Sequence, residues 1–455
     1  MRRIKALALV LTILTVTFSS CVRADADIFY ASSNYNTGSA GVVTWDGSFR
    51  IHKNLVANYG GDAAGFTFED HNGAARAMIR EYHYAANDTV YVYAPPDWEN
   101  PIVNTTDWGT NFHSAASSGQ YLYLTTYESF ALGSDAEDTG EVVRVDMKDG
   151  YARDRAYHYE RHAENGHTVS PHAEAIHIEG GKIYVLYGMP YNGVTQYEAS
   201  EIVEFDPELN VLRKVRIGDS SGDSDNSGDS AKAAKNAVTM AYRGGKLYVA
   251  AMGGYQGPDS WGGVWQADLS SMTVKQVLDG HDMPYTIDGQ SVNVGLYGVD
   301  FADDGTAFIL AGSYSADYTF RARLYVTTES GLAEGDAGAV VKEYSGAAGK
   351  GYSWGILWDE ADSILWCMTG KSLEARSKTG SPLREFTPAE LGDNVYSVAL
   401  LNGIAIDEGG DEETSGGSGG GCDTGAFSLV CAAVLIWLAS LMYVSFAGLK
   451  KREKR

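Results

Sequence analysis

His172-Ala-Glu-Ala-Ile-His-Ile-Glu-Gly-Gly-Lys-Ile-Tyr-Val185 and Asn236-Ala-Val-Thr-Met-Ala-Tyr-Arg-Gly-Gly-Lys-Leu-Tyr-Val249 decide the fold. Each is a run of about eight residues, a Gly-Gly pair, and a second run rich in β-branched and aromatic side chains. Glycine at both turn positions supplies the positive φ that a two-residue hairpin needs. Weaker copies stand at Gly298–Leu310, with Asp304-Gly305 at the turn, at Gly355–Met368 and at His113–Leu124.

Outward from the hairpins, a third run closes as apolar-x-apolar-Asp in Val43-Thr-Trp-Asp46, Val143-Arg-Val-Asp146, Val203-Glu-Phe-Asp206 and Trp265-Gln-Ala-Asp268. The alternation buries one face of a strand, and the aspartate begins a turn by accepting from its own backbone. A more polar fourth run follows, such as Val211-Leu-Arg-Lys-Val-Arg-Ile217. Four antiparallel strands repeated every ~40–65 residues is the mark of a β-propeller blade. Second strands fall near residues 28, 78, 122, 183, 247, 307 and 365, so the expected fold is an all-β, seven-bladed β-propeller. The irregular stretch Asp88–Asn111 leaves six or eight blades as alternatives, and tandem β-sandwiches are the competing architecture. Asn394-Val-Tyr-Ser-Val-Ala-Leu-Leu401 has no later partner. It is expected to pair with Asp27–Asn34 as the innermost strand of the first blade, which removes the exposed sheet edge.

The chain has 455 residues, 44% hydrophobic, enough for a large core. Its 35 Lys and Arg face 59 Asp and Glu, a formal charge of −24. Nine of the basic residues lie at the two ends (Arg2, Arg3, Lys5, Arg23, Lys450, Lys451, Arg452, Lys454, Arg455), and without those ends the body carries 26 basic and 58 acidic residues. Such a body repels phosphate backbones, which excludes nucleic acid as a partner. Residues 1–24 read as a signal peptide: a basic start, an uncharged stretch Ala6–Ser20, and a cut between Ala24 and Ala26. Phe18-Ser-Ser-Cys21 imitates a lipoprotein box, with Phe a poor first residue. Residues 25–407 form the propeller ectodomain, 408–421 an acidic and Ser/Gly linker, and 422–455 a motif, an apolar helix and a basic tail. Ala426–Leu449 is free of charge and long enough to span a bilayer, with the basic cluster kept cytoplasmic. The expected location is therefore across the inner membrane, anchored, and periplasmic or surface-exposed. Of four cysteines only Cys367 lies in the folded body, so no disulfide supports it.

Gly419-Gly420-Gly421-Cys422-Asp423-Thr424-Gly425, set between a Ser/Gly spacer and the apolar helix, resembles the Synergist-CTERM protein-sorting signal of Synergistes-type bacteria. The resemblance covers about the last 40 residues. It implies a sorting or processing machinery as partner, with Gly420, Gly421, Cys422 and Gly425 as the motif and Cys422 as the point of processing or lipid attachment. Thr424 stands where a small residue is expected.

Five of ten histidines fall close together: His158, His162, His167, His172 and His177. Imidazole is a common metal ligand. Their placement on an outer strand, a loop and both sides of an inner strand nonetheless sends them to different places. His113 and His172 open the innermost strands of consecutive blades, and Glu174 follows two residues along, so these three are the candidates to face a ligand at the channel mouth; solvated rim residues are the plainer account. Asp223, Asp225, Ser227 and Asp229 resemble the first half of a calcium loop, the one cofactor the sequence suggests, but the closing position 234 is Ala. Trp98, Trp108, Tyr255, Trp261 and Tyr285 sit near loops, where aromatics stack on ligands or, more often, pack between blades. No nucleophile elbow, phosphate loop or haem motif is present. The function expected is a non-catalytic binding module for an extracellular protein, peptide or carbohydrate. The alternatives are a metal-dependent, lactonase-like hydrolase at the channel mouth and a periplasmic assembly scaffold.

Overall fold

The computed structural model describes residues 26–401 apart from 35, 61–62, 84–85, 129–138, 192–195, 219–232, 254–261, 284, 288–289, 293, 315–319 and 347–352. The signal region, the calcium-like loop and the sorting tail lie outside the described residues. No helix among the described residues is long and apolar enough to cross a membrane.

The alternating runs form seven four-stranded antiparallel sheets. Six follow the chain from innermost to outermost strand and begin at Ala63–Glu69 (blade 2), Thr110–Ser118 (blade 3), His172–Glu179 (blade 4), Ala237–Arg243 (blade 5), Gly295–Phe301 (blade 6) and Ser353–Asp359 (blade 7). Blade 1 is built from both ends of the ring: Val395–Leu400 is its innermost strand and pairs with Ala26–Ser33, with Ile28 opposite Leu400 and Tyr30 opposite Val398. Each innermost strand touches those of both neighbours, and the cycle closes from blade 7 through Val395–Leu400 to blade 2. The architecture is a seven-bladed β-propeller, closed as the sequence predicts.

The core lies between blades rather than within them. Among the described residues there are seven buried clusters, each shared by two adjacent blades, such as Phe68, Met78 and Val92 of blade 2 with Trp108, Leu122 and Val143. The thiol of Cys367 is buried in one of them, and desolvation pushes it up to about 12, so it is inert. Side chains from one blade also satisfy the open inner edge of the next. Gly65 N donates to Ser397 Oγ (2.6 Å) and Thr67 Oγ1 to Leu400 O (2.6 Å). Asp300 Oδ2 accepts from Trp358 N (2.7 Å), and burial pushes this carboxyl up to about 6.

The two faces of the ring differ. On one, first strands turn into second and third into fourth through connections as short as Gly180-Gly181 and Gly244-Gly245, all four glycines at positive φ. The aspartates closing the third strands sit here, and Asp46, Asp146, Asp206 and Asp268 each accept from the backbone N–H two residues on. On the other face innermost strands begin and second strands pass into third, and the described residues there include two small ladders, His162–Glu164 with His167–Val169 and Thr286–Ile287 with Gln290–Ser291.

Candidate functional site

At the mouth face, the alternation of the innermost strands breaks. In blades 1, 3, 4, 5 and 6 the pairing register slips by one residue near the strand start, making Tyr396, His113, Glu174, Val238 and Tyr297 the extra residues of the slips. Blades 2 and 7 keep an unbroken register. A β-bulge places an extra residue and re-aims its side chain. In all five blades the residue before the bulge (Val395, Phe112, Ala173, Ala237, Leu296) is buried, and the bulged residue is half-buried or exposed. The slip therefore gives one residue to the inter-blade core and leaves its neighbour only partly covered.

Two bulged residues meet. His113 Nδ1 donates to Glu174 Oε2 at 2.9 Å across the joint between blades 3 and 4. The His113 ring stacks on Tyr127, with centroids 4.8 Å apart, and keeps a third of its side chain exposed. Tyr127 also lies against His172, 3.7 Å between centroids. Glu174 owes its place to glycine: a Cβ at Gly188 would stand 3.1 Å from Glu174 Oε1. Close by, Gly140 N donates to Pro171 O at 2.6 Å, and a Cβ at Gly140 would come within 2.4 Å of Ala173 N. The strand carrying His113 is tied at its start by Asp88, which accepts from Thr110 Oγ1 (3.2 Å) and is paired with buried Arg80. Burial raises the Asp88 carboxyl to about 6 against the pull of Arg80.

His113 and Glu174 are thus brought together as expected, and His172 is not with them at the surface. His172 is fully buried beneath Tyr127. The expectation that it faces the channel mouth is corrected: the slip between Ala173 and Ala175 breaks the two-residue parity that would have placed it on the side of Glu174. The five clustered histidines scatter, each with its own contact. His158 meets Thr139 Oγ1 (3.0 Å), His162 stacks on Tyr159, His167 on Tyr191 and His177 on Tyr242. Burial lowers the affinity of His177 for a proton. His167 lies not in a loop but in a small ladder, His162–Glu164 against His167–Val169. Among the described residues no group of three His, Cys, Asp or Glu is placed to hold a metal ion. The calcium candidates Asp223, Asp225, Ser227 and Asp229, and the motif Gly420, Gly421, Cys422 and Gly425, are outside the described residues.

Of the aromatics near loops, Trp98, Trp108 and Tyr285 are buried between blades, and Tyr255 and Trp261 are not among the described residues. Sequence reasoning missed a different group. Tyr297, Tyr314 and Trp354 pack around buried Phe320 with ring centroids 4.9, 5.1 and 4.6 Å away, at the mouth between blades 6 and 7. All three keep part of their surface exposed, Tyr314 about half.

No family model and no curated protein matches this chain. Among solved structures it resembles the periplasmic gluconolactonase of Pseudomonas aeruginosa, at 10% identity and a TM-score of 0.53, over 84% of this chain and 100% of that one. The likeness is one of fold. A functionally unknown protein from Desulfotomaculum acetoxidans follows at 10% identity and 0.49, with the same coverage. An ulvan lyase of polysaccharide lyase family 25 follows at 11% identity and 0.48, over 80% of this chain and 100% of its own.

Proposed function

We propose that this protein is a cell-envelope-anchored propeller acting as a non-catalytic extracellular binding module, with its ligand engaging the mouth face at His113 and Glu174. The observation that carries this reading is the 2.9 Å His113–Glu174 contact, made by bulged residues of consecutive blades. The pair offers a ligand the one-third-exposed imidazole of His113, held from behind by the nearly buried Glu174 carboxylate. Binding residues on connections held by a rigid scaffold are the usual division of labour in such folds. Residues 1–24 export the chain, and Ala426–Leu449 with the basic tail holds it at the membrane after sorting through Cys422.

The second reading is a lactonase-like hydrolase at the same mouth. The pair itself favours it, because a carboxylate on Nδ1 leaves Nε2 able to take a proton from water. Titrating the purified full-length protein with pools of envelope polysaccharide, secreted protein and peptide tests the first reading. Saturable binding should weaken at least tenfold in His113→Ala and Glu174→Gln variants that melt like the parent. Binding equal in all three proteins would overturn the reading. Stoichiometric metal in the purified protein, or lactone turnover lost in His113→Ala, would put the hydrolase in its place.

A further inference from the structure

The contact between His113 and Glu174 fixes which hydrogen bond the imidazole has left to make. Nδ1 gives its hydrogen to Glu174 Oε2 at 2.9 Å, and a neutral imidazole has one donor and one acceptor, so Nε2 keeps a lone pair. Among the described residues Nε2 makes no hydrogen bond of its own. The ring is held by its stack on Tyr127 with 32% of the side chain exposed, whereas Glu174 keeps only 9%. The joint therefore shows a ligand one acceptor, backed by a carboxylate that water barely reaches. The surroundings carry the same sign. The chain between Tyr127 and Gly140 holds Glu128, Asp135, Glu137 and Asp138 with no Lys or Arg, and the body as a whole has 26 basic and 58 acidic residues. Such a field concentrates cations and speeds their encounter with the surface.

We infer that the mouth at the joint of blades 3 and 4 binds a primary ammonium group, on a lysine-rich peptide or a free polyamine, with His113 Nε2 accepting one N–H and Glu174 balancing the charge. This rests on the binding reading above and names its ligand class. An anion meets the wrong sign of charge here, and a neutral hydroxyl meets the acceptor but gains nothing from the carboxylate behind it. A guanidinium spends its planar fork on bidentate acceptors, while an ammonium is a compact charge that one acceptor can orient. The pair is also set before the ligand arrives. Glu174 is confined by the space at Gly188, where a Cβ would stand 3.1 Å from its Oε1, and His113 is confined by Tyr127, so little order remains to be lost on binding.

The test titrates the full-length protein, in an uncharged detergent, with end-blocked hexalysine, with the same peptide acetylated on every Nζ, and with spermidine. Acetylation keeps an N–H on each side chain and removes the charge. The expected result is saturable binding of hexalysine, at least tenfold tighter than of its acetylated form and weakening as salt is raised. Affinity should fall at least tenfold in Glu174→Gln and in His113→Phe, which keeps a ring on Tyr127 and loses the acceptor, with melting of each variant recorded beside it. Should Glu174→Gln not fold, His113→Phe carries the test alone. Asp46→Asn removes the same charge from the turn face and should bind like the parent. Spermidine binding as tightly as hexalysine assigns the site to free polyamines, and weaker binding assigns it to peptides; either upholds the ammonium. Three results overturn it: neither ammonium ligand binds, the acetylated peptide binds as well as hexalysine, or Asp46→Asn loses as much affinity as Glu174→Gln, which would leave net charge alone at work. If neither ammonium ligand binds while a polysaccharide or protein pool still binds in a His113-dependent way, the ligand class falls and the binding reading stands. If no binding depends on His113, both fall.

Discussion

The two faces of the ring are made from the same hairpins and behave as different materials. On the turn face each connection is a local solution: glycine at positive φ, or an aspartate accepting from the backbone just ahead of it. On the mouth face the positions of side chains depend on residues far along the chain, as His113 depends on Glu174 and Glu174 on the space left by Gly188. One face therefore sets how blades form, and the other what they present. The largest test of this division concerns ring closure, on which both faces depend. A chain ending after Asp393 loses Val395–Leu400, exposing the edge of Ala26–Ser33 and opening the joint between blades 7 and 2. It should aggregate or melt far below a chain ending after Asp407, as an unpaired long edge predicts. Equal melting of the two would break the closed-ring account and the comparison with it.

The turn face was legible in the sequence because its rules are local. Gly180-Gly181 and the Asp206 turn announce themselves within five residues, and second strands recurring at seven places along the chain imply a ring. Closure was legible for a different reason: one strand, Asn394–Leu401, had nothing else to pair with. The mouth was half legible. His113 and Glu174 could be chosen because both lie at the openings of consecutive inner strands, but a one-residue slip leaves no trace in an alternating pattern. His172-Ala-Glu174 reads as unbroken alternation, which places the two side chains together, and the bulge separates them. The aromatic group around Phe320 was invisible for a related reason, since Tyr297, Tyr314 and Trp354 are distant in sequence and meet only when blades 6 and 7 pack together.

His172 sharpens the contrast within one strand. It is buried against Tyr127, on which His113 also stacks. His172→Ala should cost about 1–3 kcal/mol, the range for removing a buried polar side chain and stranding its surroundings. It should also loosen the support of His113, so ligand affinity falls with stability. Denaturant unfolding together with a binding titration checks both. A loss within about 0.5 kcal/mol, as for an exposed residue, would return His172 to the mouth surface and undo the bulge argument for blade 4.

The finest test lies in a single hairpin, which carries a glycine for each face. Gly181 sits in the turn at φ +74° with open space around its missing side chain, so Gly181→Ala meets no clash and suffers only the left-handed backbone. That penalty is about 1 kcal/mol for an L-residue. Gly188, in the strand Lys182–Tyr191, has no such backbone demand, and an added methyl meets only the movable end of Glu174. Gly188→Ala should leave stability within about 0.5 kcal/mol, since a stiffer unfolded chain offsets the crowding. The methyl must push Glu174 Oε1 from its position and so disturb the 2.9 Å contact with His113. The expected outcome is a crossed pair: Gly181→Ala lowers the melting temperature and leaves affinity alone, and Gly188→Ala does the reverse. If both substitutions moved stability and neither moved affinity, Glu174 would be one more residue holding blades together, and the division between the two faces would not reach the ligand.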